Sequence, residues 1–375
     1  MVYYFLRSLV RLTLQLYFKN IEITGHDNIP KDKPVIFVGN HPSAFMEPII
    51  LACWTWRPLN FMIRGDMWNK KPLAWLLDAI HGVPVYRKSE GYSAADANKR
   101  TFDRCVELIM NHKLLIIFAE GSHELVRRLR SLKKGTARIV VQALEENPGK
   151  EVYLVPVGAI FNAPLLLRRD VHLSIGKAVP LRQYLSDNSK AESLNQITKV
   201  IAEKLGDELP DITSEEELLF EKLIYEKAEF GKPFQQQWRD AEAKLHSLTE
   251  TDKQEQIANN KTRDTNLENQ TLAKQLNIGH WLVLILLAVP AWIGKMLHFI
   301  PIALSERVTN SIVKKKEFYS SLRVATLLVF VLVWYLILSI VSGFAFGNLW
   351  PIYGMVLTGL ISLPYFDLWR VARAR

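Results

Sequence analysis

"VIFVGNHPSAFMEPIILACWTW", residues 35–56, carries the reading that decides the fold. Its first five residues are apolar and uncharged, rich in β-branched and aromatic types, as in a strand buried on both faces. A link containing Pro42 follows, and "PIILACWTW" (48–56) then reads as a helix, with Pro48 suited to the first helical position, where a missing N–H costs nothing. The order strand, loop, helix recurs. Strand candidates are "IEITG" (21–25), "VIFVG" (35–39), "LNFMI" (59–63), "VPVY" (83–86), "LLIIF" (114–118), "VYLVPVG" (152–158) and "VHLSI" (171–175). Helix candidates lie near 48–56, 70–80, 94–111 and 134–146. Strands alternating with helices argue an α/β domain over residues 20–185.

Within the opening stretch, His41 ends a strand and Glu47 stands at a helix start, outside the helix proper. A loop between them can bring the side chains together. A carboxylate accepting from one imidazole nitrogen fixes the tautomer, and the other nitrogen can then take a proton from a hydroxyl. Taken alone, such a pair belongs more often to a surface turn than to a site.

The chain has 375 residues, 49% of them apolar, and a net charge of +9. A basic balance favours an anionic partner: nucleic acid, an anionic membrane surface or a phosphorylated substrate. The positive charge collects beside apolar segments, which argues against nucleic acid. Cys53 and Cys105 form neither a disulfide framework nor a metal spacing and read as thiols in a reducing compartment. No metal cluster is present in the pattern, so no metal is expected.

Residues 1–19, "MVYYFLRSLVRLTLQLYFK", have helical periodicity, with Arg7, Ser8, Arg11, Gln15 and Lys19 on one arc and apolar and aromatic residues over most of the rest. Such a helix suits a membrane interface or serves as the first helix of the domain core. Residues 186–279 are polar and largely helical in pattern, an arm or linker. Three apolar segments follow. Residues 325–346 carry no charge and are long enough to span a bilayer, and residues 349–370 span less cleanly. Arg307, Lys314, Lys315, Lys316 and Arg323 precede the first of these two, Arg370, Arg373 and Arg375 follow the second, and the turn "GFAFGNLW" (343–350) is uncharged. By the positive-inside rule, residues 325–370 form a transmembrane hairpin with both ends cytoplasmic. Residues 280–304, broken by Pro290, Lys295, His298 and Pro301, then read as a re-entrant or interfacial pair; three true spans with the domain outside is the alternative.

Three further blocks carry chemistry. "HGVPVYRK" (81–88) ends in Arg87 and Lys88, and arginine grips phosphate at two points. "LLIIFAEGSHE" (114–124) places Glu120, Gly121 and Ser122 at the carboxyl end of a strand, with Gly121 permitting a tight turn and a close backbone approach. The basic run "RRLRSLKKG" (127–135) lies downstream, and "VYLVPVG" (152–158) is a buried-looking strand.

In this order the four blocks resemble the glycerolipid acyltransferase family, over roughly residues 20–180. That family has an N-H-x4-D block, then G-x-x-P-V-x-R, then F-P-E-G, then a V-P strand. Here they stand as Asn40-His41 with Glu47, Gly82-Val83-Pro84-Val85-Tyr86-Arg87, Phe118-Ala119-Glu120-Gly121 and Val155-Pro156. The run after Glu120 looks most like the branch that includes fungal-type glycerol-3-phosphate acyltransferases and bacterial relatives, where the gap from histidine to acid is one residue longer. Two residues depart from the pattern: the acid is Glu47 rather than aspartate, and Ala119 stands for the proline.

The resemblance implies a mixed sheet flanked by helices, and transfer of a fatty acyl group from an acyl-CoA or acyl carrier protein thioester. The acceptor would be glycerol 3-phosphate, lysophosphatidate or another lysophospholipid. It implies His41 as general base, Glu47 as its orienter and Arg87 as phosphate clamp. Arg64 is a second phosphate candidate or a partner of Asp66, and Glu120 accepts from a glycerol hydroxyl or fixes a nearby arginine. Gly121 and Ser122 would lie beside the acceptor. No cofactor beyond the thioester co-substrate is implied. The setting is a membrane, a bacterial inner membrane or its equivalent, with the catalytic domain on the cytoplasmic side. The competing reading is a catalytically weak membrane-anchored lipid-binding or scaffold protein of the same fold.

Overall fold

A computed structural model describes residues 2–69, 71–85, 94–187, 189–260, 262, 264 and 266–375. The chain divides into two compact units. The first comprises Met1–Leu12, Ile21–Phe161 and Val171–Asp211; the second comprises Thr13–Asn20, Asn162–Asp170 and Ile212–Arg375.

The first unit is built on one mixed sheet, β1 (Ile21–Thr24), β2 (Val35–Gly39), β3 (Leu59–Arg64), β4 (Gly82–Val85), β5 (Leu114–Phe118), β6 (Tyr153–Phe161), β7 (Val171–Ile175) and β8 (Val179–Pro180). The strand order is β1-β7-β6-β2-β5-β3-β4, with the two-residue β8 paired to β6. From β6 to β4 every pairing is parallel, while β7 and β8 run antiparallel to β6. β2 is buried at every position and β5 at all but its last, as their unbroken apolar runs require of central parallel strands. Pro156 lies opposite Val38, and because proline donates no hydrogen bond, the β6–β7 ladder starts only at Val157.

Among the described residues, six helices accompany this sheet: α1 (Val2–Tyr17), whose residues from Thr13 onward are counted with the second unit, α2 (Met46–Trp54), α3 (Lys71–Ala79), α4 (Ala94–Met110), α5 (Gly135–Glu146) and α6 (Lys190–Gly206). One apolar cluster joins Ile36, Ile117 and Leu154 of the sheet to Ile109 of α4, Val140 of α5 and Ile197 of α6. Each such side chain contributes about 1.5–3 kcal/mol by leaving water. Helix α6 falls within the stretch read above as the start of the polar arm, yet Ser193, Ile197, Ile201 and Leu205 recur every fourth residue and are buried. The compact unit therefore runs to Asp211. Helix α1 has two characters. Tyr4, Phe5 and Leu12 are exposed, whereas Leu14 and Tyr17 are fully buried. Arg7 donates to the Cys53 and Thr55 carbonyls, and Arg11 lies over the Trp54 ring at 4.8 Å.

The second unit is helical: α7 (Glu217–Glu226), α8 (Phe234–His246), α9 (Glu250–Asn259), α10 (Leu267–Ala273), α11 (Ile278–Leu286), α12 (Ala288–Leu297), α13 (Phe299–Ile312), α14 (Tyr319–Phe346) and α15 (Trp350–Ala372). The polar arm is not uniformly solvated. Phe220 and Leu223 of α7 and Trp238 and Leu245 of α8 are buried, while α9 buries nothing. Among the described residues, two helical stretches, Lys316–Phe346 and Trp350–Ala372, are long and apolar enough to cross a membrane, and α11 and α12 form an apolar pair bent by 55°.

Candidate active site

The parallel arrangement of β2, β5, β3 and β4 brings their carboxyl ends to one edge of the sheet, the edge at which open α/β sheets bind ligands. His41 follows β2, Glu120 follows the neighbouring β5, and Arg64 ends β3. Two of the sequence blocks thus become neighbours through the register Gly39 opposite Phe118.

Asn40 anchors the first block. Its side-chain amide donates to the Ala159 carbonyl at 3.0 Å and its oxygen accepts from the Ala159 N–H at 2.8 Å, which carries the β2–β6 ladder one residue further. The His41 ring stacks on the Phe118 ring, with centroids 4.0 Å apart and planes 9° from parallel. Its backbone N–H donates to Oε2 of Glu120 at 3.0 Å, and its carbonyl accepts from the Glu124 N–H at 3.1 Å. The ring is therefore held by the last residue of β5, and the backbone by the residues that follow it.

The loop from His41 to Glu47 turns through Ala44, whose φ of 38° lies in the left-handed region that side-chain-bearing residues rarely occupy. Helix α2 begins at Met46, two residues before Pro48, so Glu47 lies within the first turn and not ahead of the helix as read from the sequence. Pro48 remains tolerated because first-turn N–H groups need no intrahelical acceptor. Glu47 is 1% exposed; its Oε1 accepts from the Ser43 N–H, and its Oε2 lies 3.5 Å from Nδ1 of His41. A carboxylate only accepts, so this geometry places the imidazole proton on Nδ1 and leaves the Nε2 lone pair to act as a base.

Glu120 is 4% exposed and its carboxylate is fully engaged. Oε1 accepts from the Arg130 backbone N–H at 3.0 Å, and Oε2 accepts from the His41 N–H and from Nη2 of Arg130 at 2.6 Å. Arg130 is thus the arginine that Glu120 fixes, and it also donates to the Ser122 hydroxyl at 3.0 Å. Gly121 takes φ 73° and donates to the Phe118 carbonyl, closing the tight turn that its place in the sequence predicts. Arg64 is half exposed and paired with Asp66 at 2.8 Å, the second of the two roles read for it. Arg87 lies outside the described residues.

Sequence reasoning gave no site role to Phe118, Arg130 or His123. The His123 ring meets the His41 ring edge-on at 5.7 Å. Phe118 ends β5 and the other two follow it, but which of the basic and aromatic side chains there folds back onto His41 depends on the loop path. The run "RRLRSLKKG" contains no periodicity to mark Arg130.

Residues 20–160 match the family model described as Acyltransferase. Among characterised proteins, the chain is similar to a 1-acyl-sn-glycerol-3-phosphate acyltransferase of Borreliella burgdorferi, 25% identical over 203 residues, which is 52% of this chain and 76% of that one. It is 27% identical over 126 residues to the chloroplastic 1-acyl-sn-glycerol-3-phosphate acyltransferase LPAT1 of Arabidopsis thaliana, covering 33% of each chain. It is 24% identical to a 1-acyl-sn-glycerol-3-phosphate acyltransferase of Chlamydomonas reinhardtii, covering 51% of this chain and 55% of that one. The match thus spans about a third and about half of these last two relatives. Among solved structures it is similar to the 1-acyl-sn-glycerophosphate acyltransferase PlsC of Thermotoga maritima, with 22% identity, a TM-score of 0.40, and coverage of 54% of this chain and 79% of that one. Residues 20–160, the stretch that matches the Acyltransferase model, hold all four of the ordered sequence blocks, and this part of the chain is similar to acyltransferases that act on glycerolipids.

Proposed function

We propose that this chain transfers a fatty acyl group from an acyl-CoA or acyl carrier protein thioester to a hydroxyl of a glycerol phosphate. Lysophosphatidate is the acceptor favoured by the names of its relatives, and glycerol 3-phosphate is the other candidate. The observation that carries this reading is the His41–Glu47 pair, an imidazole stacked on Phe118 with Nδ1 facing a buried carboxylate. A thioester is already activated, so no covalent enzyme intermediate is needed. Nε2 of His41 takes the proton as the acceptor oxygen attacks the thioester carbonyl carbon. The C–S bond breaks, the thiolate leaves, and the proton passes from His41 to sulfur. Glu47 stabilises the imidazolium formed on the way. Holding donor and acceptor together supplies much of the remaining acceleration.

Arg87 serves as the phosphate clamp in this reading, because Arg64 is committed to Asp66 and Arg130 to Glu120. Helices α14 and α15 hold the enzyme to the bilayer in which its substrates dissolve, with the catalytic domain on the cytoplasmic side. The test is acylation by the purified protein, offered labelled lysophosphatidate and labelled glycerol 3-phosphate with each thioester in turn. Acylation of lysophosphatidate, with the KM for that acceptor raised at least tenfold in Arg87→Ala, is expected. Absence of acylation on every acceptor contradicts the reading.

A further inference from the structure

The proposed reaction leaves residues 278–312 without a role. Their contacts trace a path that can be followed along α15 and then along α14. Ile278 and Trp281 share a cleft with Arg375. Leu284 and Ala291 pack with Tyr365, and Trp292 meets the Phe366 ring edge-on at 5.1 Å. A Cβ placed on Gly294 would stand 2.1 Å from the Thr358 carbonyl oxygen, and one on Gly359 would stand 2.5 Å from the His298 ring. As the chain advances from 278 to 298 it therefore climbs α15 backwards, from Arg375 to Gly359.

From His298 the partners change to α14 and the direction reverses. Trp334 donates to the Leu297 carbonyl at 3.0 Å, and His298 Nε2 lies 2.6 Å from the Tyr335 hydroxyl. Further on, Ser305 and Thr309 both meet the Thr326 hydroxyl, at 2.9 and 2.8 Å, and Glu306 pairs with Arg323 at 3.1 Å. The chain thus descends from Tyr335 to the charged beginning of α14.

Two helices measure the depth of the turning point. Tyr335 lies about 18 Å of helix rise from Arg323, and Gly359 lies about 12 Å from Asp367. Half of a hydrocarbon core about 30 Å thick is about 15 Å. His298 is fitted to that depth. Its Nδ1 lies 2.7 Å from the Gly294 carbonyl, which can only accept, so Nδ1 carries the proton and Nε2 accepts from Tyr335. Both ring nitrogens are satisfied with the imidazole neutral, as a midplane position demands. Lys295 reaches back, its ammonium 4.3 Å from the Phe366 ring beside Asp367, the snorkelling expected of a cation below the interface. Ile285, Leu286, Val289, Met296 and Phe299 are 64–74% exposed and face outward as a hydrocarbon-compatible surface.

We propose that residues 278–312 enter one leaflet of a lipid bilayer as a re-entrant V, turn at His298 near the midplane, and leave by the face they entered. The occupant of the exposed apolar surface is the acyl-chain region of that single leaflet.

The test uses the full chain in sealed vesicles of known orientation, with cysteines placed singly at Lys274, Lys315 and Asn348 and a membrane-impermeant maleimide. Lys274→Cys and Lys315→Cys should be labelled from one side and Asn348→Cys from the other. Labelling of Lys274→Cys and Lys315→Cys from opposite sides would mean a full span and overturn the proposal. A nitroxide on Phe299→Cys gives the depth. Exposure to dissolved oxygen like that of the bilayer centre is expected, and headgroup depth would make the segment an interfacial hairpin and equally overturn it. Neither readout depends on acyl transfer.

Discussion

Nδ1 of His41 and Oε2 of Glu47 face each other at 3.5 Å, and among the described residues neither atom has a hydrogen-bond partner. In the proposed reaction these two buried, unpartnered atoms should close into a hydrogen bond when substrate arrives, since catalytic hydrogen bonds commonly tighten in the occupied site. The other Glu47 oxygen is held by the Ser43 N–H. The glutamate's length is therefore used: one oxygen grips the loop and the other reaches the ring. Aspartate is shorter by about 1.5 Å and cannot do both. Glu47→Asp should lower kcat about 10- to 100-fold with little change in KM, and Glu47→Gln about 100-fold or more. Wild-type kcat in Glu47→Asp would show that the extra methylene is not used.

The Asn40 amide is the partner of both polar groups of Ala159 in a buried setting. Asn40→Ala removes it, and a buried N–H left without an acceptor costs about 1–3 kcal/mol. Denaturant unfolding of the detergent-solubilised protein should give a loss in that range. Asn40→Asp should lose a comparable amount, because a carboxylate can still accept but cannot donate.

Glu120 and Arg130 form a nearly buried ion pair, with side chains 2% and 12% exposed. Breaking such a pair from one side leaves an unpaired charge and costs about 3–5 kcal/mol. Glu120→Gln should destabilise by about that much and also lower kcat, since the carboxylate holds the His41 N–H. Arg130→Gln alone should destabilise similarly. The double variant should lose less than the sum of the two, and strict additivity would mean that the pair does not couple.

Cys53 and Cys105 are buried, and burial pushes both thiols up to about 12. At pH 8 only about one molecule in ten thousand then carries the thiolate at either position, and only the thiolate reacts. Both should resist iodoacetamide in the native protein and react promptly in denaturant, as read by mass spectrometry. Rapid native labelling would mean that one of them is accessible.

The sheet was legible because its central strands are unbroken apolar runs, and the runs at 35–39 and 114–118 coincide with β2 and β5. Helix α6 was less so. Its buried face is one residue in four, and the polar residues between dominate its composition. For the site, His41, Glu47 and Glu120 could be named from spacing, since each follows a strand or starts a helix. Their connections could not. That Glu120 serves His41 depends on β2 and β5 being neighbours, a long-range pairing that no local pattern encodes. The stacking of His41 on Phe118 has the same origin, because Phe118 lies opposite Gly39 in the register. The start of α2 was misplaced by two residues because Pro48, well suited to the first helical position, sits third in the helix.

The claim that His41 is the base is tested most directly by steady-state acyl transfer in wild type and His41→Gln, after circular dichroism has shown that both are equally folded. The account predicts that His41→Gln loses at least a hundredfold in kcat with the acceptor KM nearly unchanged. A variant that retains the wild-type kcat would contradict it.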